Sequence, residues 1–332
     1  MLSNLMSVGI VGTGIYLPEK ILTNADLEKI VDTNDQWIRE RTGIEERRIL
    51  DEGLATSDIA YRAALEAIRN AGVSPEEIDL ILVATITPDM SFPATACLVQ
   101  DKLGAVKAAA FDISAGCSGF VYGLGIGSQF IKTGMYKTVL VIGAEVLSRV
   151  LNWKDRNTCV LFGDAAGAAV LRPVEDGFGI LSMELGADGS GAELLKQNMG
   201  GARSKITVGN CDSFDRYLSM AGREVFRFAV KIMGECALIA LEKAGMNEKD
   251  ISCFIPHQAN IRIIEAAARR LDISMEKVFV NVHKYGNTSA ASIPVALHEA
   301  YCEGKIKKGD NVVLVGFGAG LTWGAAVIKW AM

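Results

Sequence analysis

The chain repeats itself at a fixed distance. Ala71-Gly72 and Ile78-Asp79 return as Ala244-Gly245 and Ile251-Ser252, and the apolar run Val139-Leu140-Val141-Ile142-Gly143 returns as Val312-Val313-Leu314-Val315-Gly316, each pair displaced by 173 residues. A displacement of that size in 332 residues means two copies of one strand and helix series. Residues 1–174 form the first half and 175–332 the second. Two such halves can share one core with ample surface to bury. Because short apolar runs alternate with helical patterns in both, the class is α/β: a layered fold of two βαβ-rich halves facing each other about a pseudo-dyad.

Breakers and caps divide the first half. Ser7 to Tyr16 reads as a strand closed by Leu17-Pro18; Thr23 or Asn24 caps a short helix over Asp26 to Val31, and Thr33 or Asn34 opens another over Asp35 to Arg41 that stops at Gly43. Ser57 to Gly72 is an amphipathic helix with a serine cap, Ile78 to Thr85 an apolar strand, and Thr87 to Pro93 a loop too rich in breakers to be an element. Phe92 in that loop is a loop anchor or a pocket wall. Ala94 to Leu103 is helical, Ala108 to Ile113 suits a buried strand, Thr138 to Ala144 is another, and Val160 to Leu171 is a tightly packed strand or turn.

Between Ile113 and Lys132 lies the stretch of most chemical interest. Ser114-Ala115-Gly116 makes a tight turn with Cys117 on it, and the residues from Ser118 to Ile131 are apolar nearly all round, with glycines that allow close neighbours. Cys117 is therefore placed at the amino end of a buried helix, where free N–H groups and the helix dipole favour the thiolate. A small core hydrophobe has the same sequence signature.

Composition excludes several alternatives. Seven cysteines without a CxxC pair read as reduced thiols, three histidines without partners at ligand spacing give no zinc site, and a net charge of -5 argues against general nucleic-acid binding. The opening MLSNLMSVGIVGTG lacks a basic start, and no run of about 20 apolar residues occurs, so a soluble, unexported, cytoplasmic protein without membrane association is expected.

The copies differ where α/β sheets place ligands. Where the first half has Ile81 to Thr85, the second has Cys253-Phe254-Ile255-Pro256-His257-Gln258-Ala259-Asn260, and opposite Cys117 it has Ala290, preceded by Tyr285-Gly286-Asn287-Thr288-Ser289. Cys117, His257 and Asn287 thus fall on strand exits of a duplicated fold. Together they suit thioester chemistry, with a thiolate attacking a carbonyl while His and Asn donate to an oxygen that gains charge. Taken singly, His257 reads equally as a structural hydrogen-bonder; His283 and His298 read as structural. Trp37 and Arg41, four apart, suit stacking on a planar ligand or a half-buried Trp under an Arg stem.

AGCSGF around Cys117, PHQANIR around His257, YGNTSAAS around Asn287, GFGAGLTWG near the end and WIRERTGI near the start together resemble the β-ketoacyl-acyl-carrier-protein synthase III family of thiolase-fold condensing enzymes, over essentially the whole chain and in order. The resemblance implies that a short acyl-CoA acylates Cys117 and that His257 and Asn287 then assist decarboxylation of malonyl-acyl carrier protein. The carbanion attacks the acyl-enzyme and gives a 3-oxoacyl-acyl carrier protein. It implies an oxyanion hole from the backbone of Cys117 and Ala319, and CoA contacts from Thr33, Trp37, Arg41, Arg156, Gly222, Asn260 and Arg262. Carrier-protein contacts from Arg227, Gln258, Arg262, Arg269 and Arg270 follow in the same way, as does a homodimer in which Phe92 reaches the partner's acyl pocket. CoA thioester and carrier protein are substrates, and neither metal nor resident cofactor is implied. Two positions depart from the family pattern: Ala319 stands where the loop usually reads GFGGG, so that a positive φ would be strained there, and Arg223 where Asn is frequent. The rivals are a related ketosynthase or 3-hydroxy-3-methylglutaryl-CoA synthase with another acceptor, a non-catalytic acyl-CoA binder, and a Cys-His hydrolase.

Overall fold

A computed structural model describes residues 6–211 and 213–332. The MLSNL start of the opening stretch lies outside these residues.

In chain order the first half runs β1 (Val8–Tyr16), β2 (Ile21–Thr23), α1 (Asn24–Leu27), α2 (Asp35–Thr42), β3 (Glu46–Arg48), α3 (Thr56–Ala71), β4 (Leu80–Ala84), α4 (Thr95–Leu103), β5 (Ala109–Ile113), α5 (Gly119–Lys132), β6 (Val139–Val146) and β7 (Asp164–Pro173). The second runs β8 (Gly179–Ala187), β9 (Leu195–Gln197), β10 (Leu218–Met220), α6 (Gly222–Lys243), β11 (Cys253–Pro256), α7 (Ile261–Arg270), α8 (Val282–Tyr285), α9 (Ser292–Cys302), β12 (Asn311–Gly318) and β13 (Thr322–Lys329). The first half's sheet has the order β1-β7-β6-β4-β5 and the second half's the order β11-β12-β13-β8, so the strands change sheet between Pro173 and Gly179. The repeat holds strand by strand. β6 lies parallel to β4 and antiparallel to β7, as β12 lies parallel to β11 and antiparallel to β13.

The apolar helices α5 and α9 form the middle layer between the two sheets, with α3 and α4 outside the first and α6 and α7 outside the second. Each middle helix is entered through a short 3-10 turn, Gly116–Ser118 ahead of α5 and Ser289–Ala291 ahead of α9. The repeated glycines make room for these turns across the dyad. A Cβ on Gly143 of β6 would stand 2.2 Å from the Ala290 carbonyl oxygen, and one on Gly316 of β12 would stand 3.1 Å from Ser118 Cα and 3.2 Å from the Cys117 oxygen. Each half therefore seats the other's turn.

Several expectations are revised. β5 is not buried: it is the outer strand of its sheet, and its residues are exposed or half-buried, because β4 pairs with one edge and no strand among the described residues pairs with the other. α3 starts one residue early, on Ala55 rather than on a serine cap. The Asp58 carboxylate accepts from the Ala55 amide, while Asp89 takes the Ser57 amide and hydroxyl. The first short helix ends at Leu27 and not Val31, and Val160 to Gly163 forms a turn ahead of β7. Among the described residues no helix is long and apolar enough to cross a membrane.

The seat predicts a specific cost. Gly143→Ala should lower the unfolding free energy in urea by about 3 kcal/mol, because the new methyl meets backbone that cannot yield. A loss below about 0.5 kcal/mol, the ordinary surface range, would contradict the seating.

Candidate active site

Cys117 sits in the middle of its 3-10 turn, 5% exposed, in a cavity of about 90 Å³ that His257, Asn287, Phe317 and Gly318 also line. The turn is tied to the second half by side chains as well as by the Gly316 seat: Thr322 Oγ1 donates to the Ala115 oxygen at 2.8 Å, and Ser118 Oγ stands 2.8 Å from Thr322 Oγ1. Gly318 presses on the nucleophile from below. A Cβ there would lie 2.4 Å from Cys117 N, and one on Gly116 would lie 2.8 Å from Ala319 N, so the backbone of 116–117 and of 318–319 meets with no side chain between.

His257 follows β11, where its amide donates to the Val315 oxygen at 2.7 Å. Nδ1 is 2.6 Å from Ser292 Oγ at the start of α9, and the ring packs edge-on to Phe317 at 5.3 Å. With the Ser292 hydroxyl donating, Nδ1 is the acceptor and Nε2 carries the hydrogen toward the cavity. Burial pushes the imidazole down to about 3, so it is neutral at physiological pH. Asn287 is held by its amide on the Leu161 oxygen at 2.8 Å and by its Oδ1, which accepts from Ser289 N at 2.8 Å. Its Nδ2 is left to donate. Two neutral donors thus share a buried cavity with a thiol.

The way out is lined by Leu161, Met220, Gly222 and Asn260, which border both this cavity and an outer cleft containing Trp37, Arg41, Arg156 and Arg223. The Arg41 and Arg156 guanidinium carbons each lie 5.4 Å from the Trp37 ring centre. An aromatic ring between two cations, reached by a narrow apolar passage from a buried thiol, suits a nucleotide joined to a long thioester arm.

Residues 111–189 match the family model described as 3-oxoacyl-(acyl-carrier-protein) synthase III, and residues 241–330 match that described as its C terminal. A β-ketoacyl-acyl-carrier-protein synthase III of Clostridioides difficile is 60% identical over 324 residues, covering 98% of each chain, and one of Caldanaerobacter subterraneus subsp. tengcongensis is 59% identical over 326 residues, again 98% of each. The crystal structure of 3-oxoacyl-acyl-carrier-protein synthase III from Aquifex aeolicus superposes with a TM-score of 0.91 at 54% identity, covering 97% of this chain and all of that one. The chain belongs to the β-ketoacyl-acyl-carrier-protein synthase III family. Its fold is the thiolase-like fold of those synthases.

Several site residues fall elsewhere than the synthase III resemblance implied. The thiolate is not favoured in the free chain: burial, the largest effect, pushes the Cys117 thiol up to about 12 despite the helix end and a hydrogen bond from Ser289. Gln258 is not on a carrier-protein face. It is 1% exposed, its Nε2 donates to the Pro256 and Phe279 oxygens, and its Oε1 accepts from Asn281 N and Val282 N, so every polar atom is used inside. Thr33 and Arg262 border neither cavity; Arg262 lies over Phe226 at 5.7 Å, outside the passage. Phe92, implied to reach a partner's pocket and not its own, is 84% exposed. Ala319 carries no strain, since the positive φ falls on Gly320 and Leu321 instead. His298 is structural as expected, with Nδ1 3.0 Å from Thr13 Oγ1. Ser292, which orients His257, escaped the sequence reading although it stands in the quoted YGNTSAAS run; its role depends on a contact 35 residues away.

His257 gives a prediction with a definite sign. An unfolded imidazole takes a proton near 6.5 and the folded one resists until about 3, so stability drains away as pH falls below about 6.5. NMR of the ring carbons should show a neutral imidazole throughout the range in which the chain stays folded; a midpoint near 6.5 would contradict the buried, Ser292-held tautomer.

Proposed function

We propose that the chain is the condensing acyltransferase that primes fatty-acid synthesis, with a short acyl-CoA as donor and malonyl-acyl carrier protein as acceptor. The observation that carries this reading is that Cys117, His257 and Asn287 line one cavity whose exit leads to Trp37.

The CoA adenine stacks at Trp37, where Arg156 now lies with its guanidinium on the Asp32 oxygen at 3.0 Å, and the pantetheine arm follows Gly222 and Asn260 inward. Cys117 Sγ attacks the carbonyl, whose oxygen takes charge beside the amides of Cys117 and Ala319. CoA leaves and the acyl group stays on sulfur. An apolar cleft beyond Ala319, lined by Ile86, Val150, Leu195 and Leu218, suits the acyl chain. Malonyl-carrier protein then threads the same passage. His257 Nε2–H and the Asn287 amide donate to its thioester oxygen, the bond to the carboxylate breaks, CO2 departs, and the enolate carbon attacks the acyl-enzyme as Cys117 is released.

Outside the passage Arg223, Arg227 and Lys231 stand exposed at four-residue intervals on α6, with Arg262 beside them on α7. A ridge of cations on a chain of net charge -5 suits an acidic carrier. Arg269 adds to it although Glu265 lies 3.9 Å away, while Arg270 is held by Glu235 at 2.7 Å. The uncovered edge of β5 and the exposed Phe92 support a homodimer that pairs β5 with its copy and sends Phe92 into the partner's acyl cleft. The enzyme acts in the cytoplasm.

Mass spectrometry after mixing with acetyl-CoA should find the acetyl group on Cys117. His257→Ala and Asn287→Ala should keep that transfer and lose malonyl decarboxylation on the order of 10²-fold, as when one oxyanion donor is removed. An unmodified Cys117 would leave only a binder, and equal loss of both half-reactions would overturn the division of roles. Product formed as well from malonyl-CoA as from malonyl-carrier protein would point to another acceptor.

A further inference from the structure

His257 and Asn287 are hung on different halves of the molecule. The His257 amide holds to the Val315 oxygen of β12 at 2.7 Å, whereas Asn287 is pinned to the turn ahead of β7: its amide donates to the Leu161 oxygen at 2.8 Å and its carbonyl accepts from the Gly163 amide at 3.1 Å. The two side chains share one support, the entry to α9. There Ser289 N donates to Asn287 Oδ1 at 2.8 Å, and Ser292 Oγ lies 2.6 Å from His257 Nδ1. A single support fixes a place but leaves a swing about it. Two groups that donate to one substrate oxygen need a second hold, since a reacting constellation tolerates only about 0.5 Å of error.

A buried chain of polar side chains supplies that hold. Gln258, next to His257, donates from Nε2 to the Pro256 oxygen at 2.8 Å and the Phe279 oxygen at 3.1 Å, and its Oε1 accepts from Asn281 N at 2.9 Å and Val282 N at 3.2 Å. Two carbonyls meet the NH2 and two amides meet the oxygen, so the side chain fits in one orientation only. Asn281, also buried, passes the contact on: its Nδ2 donates to Glu299 Oε2 at 2.8 Å. The other carboxylate oxygen accepts from the Tyr285 hydroxyl at 2.5 Å, and Tyr285 ends α8 two residues before Asn287. The connection thus runs from the segment of one donor to that of the other. Glu299 stands on α9 seven residues after Ser292, two turns of helix, which places both on one face. One helix therefore holds the His257 ring at its start and the approach to Asn287 two turns later.

We propose that Gln258, Asn281 and Glu299 set the separation of His257 and Asn287. The inference rests on those two being the donors to the malonyl thioester, as proposed above. None of the three borders the cavity. They are positioning residues, acting through the backbone at 256–258 and through Tyr285 on the backbone that leads to Asn287. Cys117 stands outside this arrangement, because its turn is seated on Gly316 and Gly318. The network therefore serves decarboxylation and not acyl transfer.

Such a chain has little tolerance for a change of atom type. In Gln258→Glu an oxygen replaces the NH2, and the Pro256 and Phe279 oxygens then face an acceptor where they had a donor. Buried acceptors left without donors are costly, and the backbone relieves the cost by parting 256–258 from 279–282. Tyr285→Phe is milder. The ring keeps its packing, with the Arg48 guanidinium carbon 5.9 Å from its centre, and only the hydroxyl that ties the Asn287 end to Glu299 is lost.

The test joins crystal structures of the full chain and of its Gln258→Glu and Tyr285→Phe variants to both half-reactions measured on the same preparations. In Gln258→Glu, Asn287 should move relative to His257 by more than about 0.5 Å. The kcat for decarboxylation of malonyl-carrier protein should fall on the order of 10-fold, short of the 10²-fold that about 1 Å of misplacement costs. Its KM and the rate of acetyl transfer to Cys117 should stay as they are. Tyr285→Phe should show the same pattern with a smaller, several-fold loss, and it carries the test alone should Gln258→Glu fail to fold. An unmoved pair in folded variants, or an equal loss of both half-reactions, would overturn the positioning role and leave the network to stability. If the unaltered chain does not decarboxylate malonyl-carrier protein, the proposed function fails, and a pair displaced in the variants would still show that this network sets its spacing.

Discussion

Everything at this site depends on two backbones crossing where a side chain would not fit. The turn that carries Cys117 belongs to the first half, yet it rests on Gly316 and Gly318 of the second; the matching turn at Ala290 rests on Gly143 of the first. A methyl at any of these seats would meet main chain, which cannot rotate away as a side chain can. The duplicated strands therefore carry glycine where the copies lock together. That lock brings a sulfur from one half against an imidazole and an amide from the other, and places the 318–319 backbone beside that of Cys117.

Burial then decides the protonation states. Buried as they are, the imidazole is neutral and the thiol is a thiol, so neither begins the reaction charged. This suits both steps. A neutral histidine is a hydrogen-bond donor to an enolate without becoming a counter-ion that would hold the malonyl carboxylate in place. A neutral thiol is inert until a thioester arrives and its proton has somewhere to go. Glu145, an acid buried on β6, is held by donors on two segments, Thr85 to Thr87 and Ser289.

The sequence made much of this legible, and for physical reasons. The displacement of 173 residues is written in glycines and apolar runs, so the paired sheets and the place of Cys117 at a turn before a core helix could be read directly. His257 and Asn287 stood out because polar residues replaced a plain strand exit in one copy only. What could not be read depends on contacts distant along the chain. Gln258 looks like a surface amide beside His257, but it clamps the segment at 279–282 from inside. The strand at 109–113 has the composition of a buried strand and is an open edge, because it is the outermost strand of its sheet. The thiolate expected from a helix end is suppressed because desolvation outweighs the dipole. Glu145 and Ser289, 144 residues apart, carry no local pattern that would join them.

The most direct test uses a residue that touches no substrate. A Cβ at Gly316 would meet the Cys117 turn at 3.1 to 3.2 Å, tight enough to displace it without forbidding the fold. The turn must give by a few tenths of an ångström, so the rate of acetyl transfer from acetyl-CoA to Cys117 in folded Gly316→Ala should fall several-fold, short of the roughly 10²-fold that a 1 Å misplacement of a reacting atom costs. Transfer at the unaltered rate in a folded Gly316→Ala chain would show that the nucleophile does not depend on its seat in the other half.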